Sequence, residues 1–243
     1  MIRQTFSLTL QHAQMIAPGV RHLAFSRDDG QALAYVPGQF ITVHIDTDTG
    51  SARRSYSIAT IPNRSPYLEI AVSYVEGGLA TQLFANLKVG DVITASGPFG
   101  RLVLRDETPK RYFLVATGTG VTPYRAMLPE IAQRLNSQPE LEVKVLFGTR
   151  VREDLLYSED FIDFAEQHAR FSYLACYSRM QAQAPYECQG YVQNVFEQFN
   201  LDPNHDIFYL CGNPNMIDAA FLKLTELGFP SPNVRREKYV SSK

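Results

Sequence analysis

Arg54, Tyr56 and Ser57 lie in the run Arg53-Arg54-Ser55-Tyr56-Ser57-Ile58-Ala59. Their types suit a ligand that carries both a diphosphate and a flat ring. The planar fork of an arginine matches phosphate oxygens. Side chains two apart on a strand share a face, so Tyr56 points the same way as Arg54 and can stack on an aromatic ring. Ser57 adds a hydroxyl that can donate to or accept from a ring nitrogen. A flavin dinucleotide offers all three partners. The same residues also fit an edge strand with an exposed arginine and a half-buried tyrosine, and alone they do not separate the two readings.

Four further clusters bear on that choice. Gly77-Gly78-Leu79-Ala80-Thr81 precedes an apolar pattern of helical period (Leu79, Leu83, Phe84, Leu87). Glycines before a helix let backbone N–H groups approach a phosphate, and the helix dipole favours negative charge there; a plain turn into a helix is the alternative. Gly118-Thr119-Gly120-Val121-Thr122-Pro123 follows the apolar run Tyr112–Ala116 and opens a second helical pattern. The context suits a dinucleotide phosphate, but Pro123 stands where the third glycine of G-x-G-x-x-G belongs, and no acidic residue follows at the distance that serves a ribose diol. Ser178-Arg179 ends the apolar run Phe171–Tyr177, and a hydroxyl with an arginine at a strand's carboxyl end suits a phosphate better than a free ribose hydroxyl. Tyr191 and Gln193 follow, with Tyr191 able to stack on adenine; a solvated loop is the alternative. Cys211-Gly212 ends another apolar run. Gly212 permits close backbone approach, and Cys211 is either a small buried apolar group or a group facing the cleft.

The elements that must position these residues change character near Arg105. Before it, short alternating runs (Phe6, Leu8, Leu10; Val20–Phe25; Ile41–Ile45; Leu68, Ile70, Val72, Tyr74; Val92–Ala95) are punctuated by turn signals. They predict a six-stranded antiparallel β-barrel over residues 1–106, with Ile2 in its first strand, a tight turn at Gly97–Gly100 and a last strand at Leu102–Leu104 closing it. After it, strands at 141–147, 171–177 and 207–210 alternate with helices at 153–168, 192–199 and 214–227. That predicts a doubly wound parallel α/β domain over residues 107–243, which binds ligands outside the carboxyl ends of its strands. A net charge of −2 with scattered basic residues gives no sign of a nucleic-acid partner. No run is long and apolar enough to span a membrane, and the first ten residues alternate like a strand rather than follow signal-peptide order. Three cysteines, Cys176, Cys188 and Cys211, fit no metal spacing. Their odd number favours a reducing, cytoplasmic setting over a disulfide scaffold.

Taken together, R-x-Y-S at Arg54–Ser57, G-G-x-x-T at Gly77–Thr81, G-T-G-x-x-P at Gly118–Pro123, S-R at Ser178–Arg179, Y-x-Q at Tyr191–Gln193 and C-G at Cys211–Gly212 occur in the order seen in the ferredoxin–NADP(H) reductase family. The resemblance covers nearly the whole chain. It implies an FAD-binding barrel followed by an NADP(H)-binding domain. By it, Arg54 would meet the FAD diphosphate, Tyr56 would stack on the isoalloxazine and Ser57 would face flavin N5. Ala71, Val72, Ser73 and the turn Gly78, Leu79, Ala80, Thr81 would hold the rest of FAD. Gly118, Thr119, Gly120, Thr122 and Pro123 would lie at the nucleotide, with Thr119 between it and the flavin. Ser178, Arg179, Tyr191 and Gln193 would hold the 2′-phosphate and adenine, with Arg150 a second phosphate contact. Cys211 and Gly212 would flank the nicotinamide. Glu237-Lys238-Tyr239 resembles the terminal E-x-Y of plant-type members, where the tyrosine covers the flavin. Here Val240–Lys243 follow, as in bacterial members with an extended tail.

The resemblance thus implies hydride transfer between NADPH and FAD N5, with Ser57, Cys211, Glu237 and Tyr239 as the catalytic set, and then one-electron transfer to a separate ferredoxin or flavodoxin. The chain has no cysteine pattern for a plant-type iron–sulfur cluster of its own. A monomer is expected. Two alternatives stand beside this reading: an NAD(P)H-dependent reductase component of an oxygenase or a free-flavin reductase, and a non-catalytic FAD-binding electron-transfer subunit.

Overall fold

Alternating apolar residues pair into antiparallel strands when one face has a core to cover, and the first hundred residues do this. The computed structural model describes residues 4–47 and 50–240; Ile2 and the tail residues Ser241–Lys243 fall outside them. The strands are β1 (Gln4–Ala17), β2 (Val20–Arg27), β3 (Phe40–Thr47), β4 (Gly50–Ser57), β5 (Leu68–Ser73) and β6 (Val92–Phe99), in the order β4-β3-β6-β1-β2-β5. Ile58, just past β4, bridges Ile70 of β5, so the two ends of the six-stranded sheet meet. Leu8, Leu23, Phe25, Val43 and Ile70 are fully buried inside it.

Three features of this unit depart from the expectation. The barrel is closed by the Ile58–Ile70 bridge and not by Leu102–Leu104, which is no strand. Leu102 and Leu104 are buried on alternate positions, so a segment outside the named strands mimics strand periodicity. Gly97–Phe99 is the end of β6 rather than a turn; a register shift in its pairing with β3 sits there, and a bulge needs the same residue types as a turn. β1 continues past Leu10 to Ala17 because two further register shifts let it stay paired with β2 while its alternation breaks down.

The second unit, Arg105–Val121 with Leu128–Val240, is separate from the first, which takes the residues up to Leu104 and Thr122–Met127. Its strands are β7 (Arg111–Thr117), β8 (Glu142–Thr149), β9 (Phe171–Tyr177), β10 (Glu187–Gln189), β11 (Asp206–Gly212) and β12 (Val234–Lys238), all parallel, in the order β10-β9-β8-β7-β11-β12. The chain builds outward from β7 to β10 and then returns to place β11 on the other side of β7. That reversal opens a crevice at the carboxyl ends of β7 and β11.

The helices in chain order are α1 (Leu79–Asn86) and α2 (Thr122–Ala126), both in the first unit, and α3 (Leu128–Ser137), α4 (Ser158–Gln167) and α5 (Pro214–Glu226) in the second. α4 does not begin at Glu153, because Tyr157 takes a left-handed φ of 57° and separates it from a short 3₁₀ turn. Residues 192–199 form a 3₁₀ helix. β10 and β12 carry no apolar alternation, so nothing in their sequence announced them. Each is an edge strand that a charged sequence suits.

Candidate functional site

In the barrel unit, Arg54 and Tyr56 lie opposite Val43 and Ile41 and are both half-buried. Tyr56 stands edge-on to Phe84 of α1, ring centroids 5.2 Å apart. Burial pushes its hydroxyl pKa up, only partly opposed by Arg54, so the ring stays neutral beside the cation. Ser57 is 6% exposed. The entry to α1 is a tight turn: Gly77 takes φ +71°, Gly78 N–H donates to Val75 O at 2.9 Å, and Val75 N–H donates to Thr81 Oγ1 at 2.7 Å. A Cβ on Gly78 would stand 3.0 Å from Val75 O. No side chain caps this helix start, and no acidic residue lies in its first turn. Its amides are therefore open to an anion. At the other end of α1, Arg21 reaches the carbonyls of Phe84 and of Leu87, the latter at 3.1 Å.

Ala71 and Val72 are buried and Ser73 is exposed. Beyond Ile70 the outer edge of β5 has no strand partner among the described residues, so its main chain is what this stretch offers a ligand. Leu79 and Ala80 are half-buried. A cation, an aromatic face, a strand edge and an uncapped helix start fit a flavin dinucleotide. Thr122 and Pro123 are buried in this unit, and Thr122 Oγ1 has no hydrogen-bond partner among the described residues. Arg125, which carried no signal in the sequence, donates to Ala59 O at 2.7 Å and to Glu69 Oε2 at 2.8 Å. It thereby holds the chain that leaves Ser57.

In the second unit, the glycines at the crevice have different reasons. Gly118 is exposed, takes φ +53°, and has open space where a Cβ would stand; half-buried Thr119 follows it. Gly120 and Gly212 are packing glycines. A Cβ on Gly120 would lie 2.3 Å from Cys211 O, and one on Gly212 would lie 2.4 Å from Thr117 O. Among these three, only Gly118 presents its backbone to open space.

At the carboxyl ends of β8 and β9, the ladder runs on past both strands: Ser178 N–H donates to Thr149 O at 3.0 Å and Arg179 N–H to Arg150 O at 2.9 Å. Arg150 and Arg179 are thus neighbours. Both are exposed, and neither has an ion-pair partner among the described residues. Ser178 is half-buried, Tyr191 is 63% exposed, and Gln193 Oε1 is buried with no hydrogen-bond partner among the described residues. Two unpaired cations, an exposed aromatic ring and an orphaned amide oxygen fit the phosphate and adenine end of a nucleotide. Arg152 stands in contrast. It donates to Glu187 Oε1 at 2.8 Å and Oε2 at 2.7 Å, and to Gln183. The Arg152 hydrogen bond lowers the Glu187 carboxyl pKa to about 2. Glu187 also accepts from the Tyr177 hydroxyl, so this network anchors β10 and the loop before it.

At the carboxyl ends of β11 and β12, Cys211 lies in register with Glu237, and Tyr239 N–H donates to Gly212 O at 2.8 Å. Cys211 is fully buried. Burial and the nearby Glu237 push its thiol up, against a hydrogen bond with Tyr239. Burial alone raises the Glu237 carboxyl to about 7. The structure brings Cys211, Glu237 and Tyr239 together in a region that resists charge.

Residues 7–104 match the oxidoreductase FAD-binding domain and residues 114–221 the oxidoreductase NAD-binding domain. The pair marks a flavin- and nicotinamide-dependent oxidoreductase. The chain is 32% identical to ferredoxin–NADP reductase B of Sorangium cellulosum, over 97% of this chain and 98% of that protein. It is 29% identical to the toluate 1,2-dioxygenase electron transfer component of Pseudomonas putida, but spans only 60% of its length. Its fold superposes on a ferredoxin NADP+ reductase from Neisseria gonorrhoeae with bound FAD and NADP, at a TM-score of 0.83, 21% identity, and coverage of 96% of this chain and 98% of that one. The chain belongs to the ferredoxin–NADP reductase family.

Proposed function

We propose that the chain is an NADPH-dependent FAD reductase of the ferredoxin–NADP(+) reductase type, with residues 1–106 holding FAD, residues 107–243 holding NADP(H), and a separate ferredoxin or flavodoxin taking the electrons. When bound, FAD would take hydride from the nicotinamide and release the electrons one at a time. Arg54 and the open amides of α1 would neutralise the FAD diphosphate, and Tyr56 would give the ring a neutral face. Ala71, Val72 and Ser73 would hold the cofactor through their main chain, and Ser57 would hydrogen-bond it. On the nucleotide side, Gly118 would let the diphosphate approach the backbone, Ser178, Arg179 and Arg150 would bind the 2′-phosphate, and Tyr191 and Gln193 the adenine. Tyr239 would shield Cys211 until the nicotinamide enters. Glu237, with its pKa near 7, would hold or release a proton at its carboxylate close to neutral pH. Three free thiols fit a reducing cytoplasm.

The observation that carries the choice of NADPH is that Arg150 and Arg179 are adjacent, exposed and without an ion-pair partner among the described residues. Anaerobic mixing of the yellow protein with NADPH and, separately, NADH in a stopped-flow spectrometer tests it. Fast flavin bleaching by NADPH and slow bleaching by NADH is expected. Equally fast bleaching by NADH would remove the 2′-phosphate role. The relatedness to the toluate dioxygenase component favours a second reading, a reductase that serves an oxygenase or reduces free flavin. Steady turnover with free FMN and none with a ferredoxin or flavodoxin would select it.

A further inference from the structure

Cys176 on β9 and Cys188 on β10 face each other in register across two parallel strands. Their sulfurs are 2.8 Å apart. Neighbouring strands lie about 4.8 Å apart, inside the range of roughly 4.4–6.8 Å that Cα atoms of a disulfide span. The strand register thus meets the Cα requirement for a disulfide. Cys176 is fully buried under the 3₁₀ helix Val192–Phe199, against Val192, Val195 and Phe196. Cys188 is half-buried and meets solvent. Their mutual hydrogen bond, with burial, holds the proton on Cys176, and the same bond draws Cys188 toward the thiolate. The pair therefore has the asymmetry of an attacking and a resolving thiol. Cys211, the third thiol, is fully buried on β11.

We propose that Cys176 and Cys188 are a reversible dithiol–disulfide site that fastens the edge strand β10 to β9. The Cys188 thiolate attacks one sulfur of a small-molecule disulfide, such as oxidised glutathione, and expels one thiolate. Cys176 then attacks Cys188 Sγ, releases its proton and expels the second thiolate. Two protein thiols are oxidised to one disulfide, and the small disulfide is reduced to two thiols that carry away the two protons. The second step is intramolecular between touching sulfurs. β10 has only three ladder residues and is anchored at its first, Glu187, by Arg152 and Tyr177, so a covalent tie at Cys188 acts on the part of the strand that leads to Tyr191. Arg179 lies three residues beyond Cys176, and Tyr191 three beyond Cys188. The bond thus pre-orders both segments to which the proposed function assigns the nucleotide, and this consequence rests on that reading.

The holoenzyme, equilibrated in buffers of graded oxidised-to-reduced glutathione ratio, is alkylated after denaturation and weighed intact. Three alkylated thiols at the reducing end and one at the oxidising end are expected, with two hydrogens lost. C211A keeps that loss, whereas C188S, which changes a half-exposed position, abolishes it. A stable glutathione adduct on Cys188, or three free thiols at every ratio, would overturn the site. NADP+ titrated into the two forms should bind roughly threefold or more tightly to the oxidised one, since pre-ordering lowers the cost of binding; equal affinity would overturn the nucleotide consequence while the mass result stands. If neither form binds NADP+, the functional reading has failed and the disulfide is still judged by mass.

Discussion

The carboxyl ends of β8–β9 and of β11–β12 lie on one edge of the same parallel sheet, yet they are built for opposite charge states. At β8–β9, Arg150 and Arg179 are exposed, and neither has an ion-pair partner among the described residues. At β11–β12, Cys211 is sealed and Glu237 is raised to about 7. A multiply charged phosphate needs fixed cations that have not spent their charge on protein carboxylates. Hydride chemistry on a neutral ring needs a dry site where a proton can be held near neutral pH. The difference is one of burial and of pairing, since both ends share topology and strand direction. Arg152 shows the effect of pairing within one loop. It is close in sequence to Arg150, but its guanidinium is committed to Glu187, so it orders the loop instead of presenting charge.

That contrast can be broken in order of effect. Arg179→Ala should raise the KM for NADPH about 10-fold or more and leave that for NADH nearly unchanged, the cost of one charged hydrogen bond. An unchanged NADPH KM in steady-state assays would take Arg179 out of the site. Cys211→Ala, at the sealed end, should slow single-turnover hydride transfer roughly 5-fold through misplacement of the reacting ring, with FAD still bound; a normal rate would return Cys211 to a packing role.

Glu237→Gln addresses pH. The folded pKa of Glu237 is raised from 4.5 to about 7, so its stabilising effect is complete below pH 4.5 and is lost as pH rises through about 7. The melting temperature of the parent should fall relative to that of Glu237→Gln across this window, and parallel curves would show that the carboxyl is solvated. Arg152→Ala should lower the melting temperature by a few degrees, roughly the effect of 1 kcal/mol in a chain of this size, while the ratio of KM values for NADH and NADPH stays within about twofold. A collapse of that ratio would mean that Arg152 presents charge after all.

Much of this was legible in the chain. The strand that carries Arg54 and Tyr56 and the Gly77–Gly78 turn into α1 could be read because the strand period and the helix start act locally, over a few residues. The six-stranded sheet and the parallel α/β unit followed from where the apolar period changes near Arg105. Leu102–Leu104 misled because burial there alternates with the same period as in a strand. Arg125 and Arg152 were invisible as positioning groups because their partners, Glu69 and Glu187, lie 56 and 35 residues away. β10 and β12 were missed because an edge strand buries little, so its sequence need not alternate.

The sequence by itself determined the succession of an antiparallel sheet and a parallel α/β unit and the family that its motifs mark, since each rests on short-range spacing and side-chain type. Only the tertiary structure decided which of these residues are available. It committed Arg152 to Glu187 and left Arg150 and Arg179 exposed, with no ion-pair partner among the described residues. It assigned Gly120 and Gly212 to close packing, and set half-buried Glu237 and Tyr239 beside buried Cys211 at one end of the sheet. It also set Cys176 against Cys188. Burial and charge pairing are properties of neighbours in space, and parallel strands bring together residues that the chain keeps far apart.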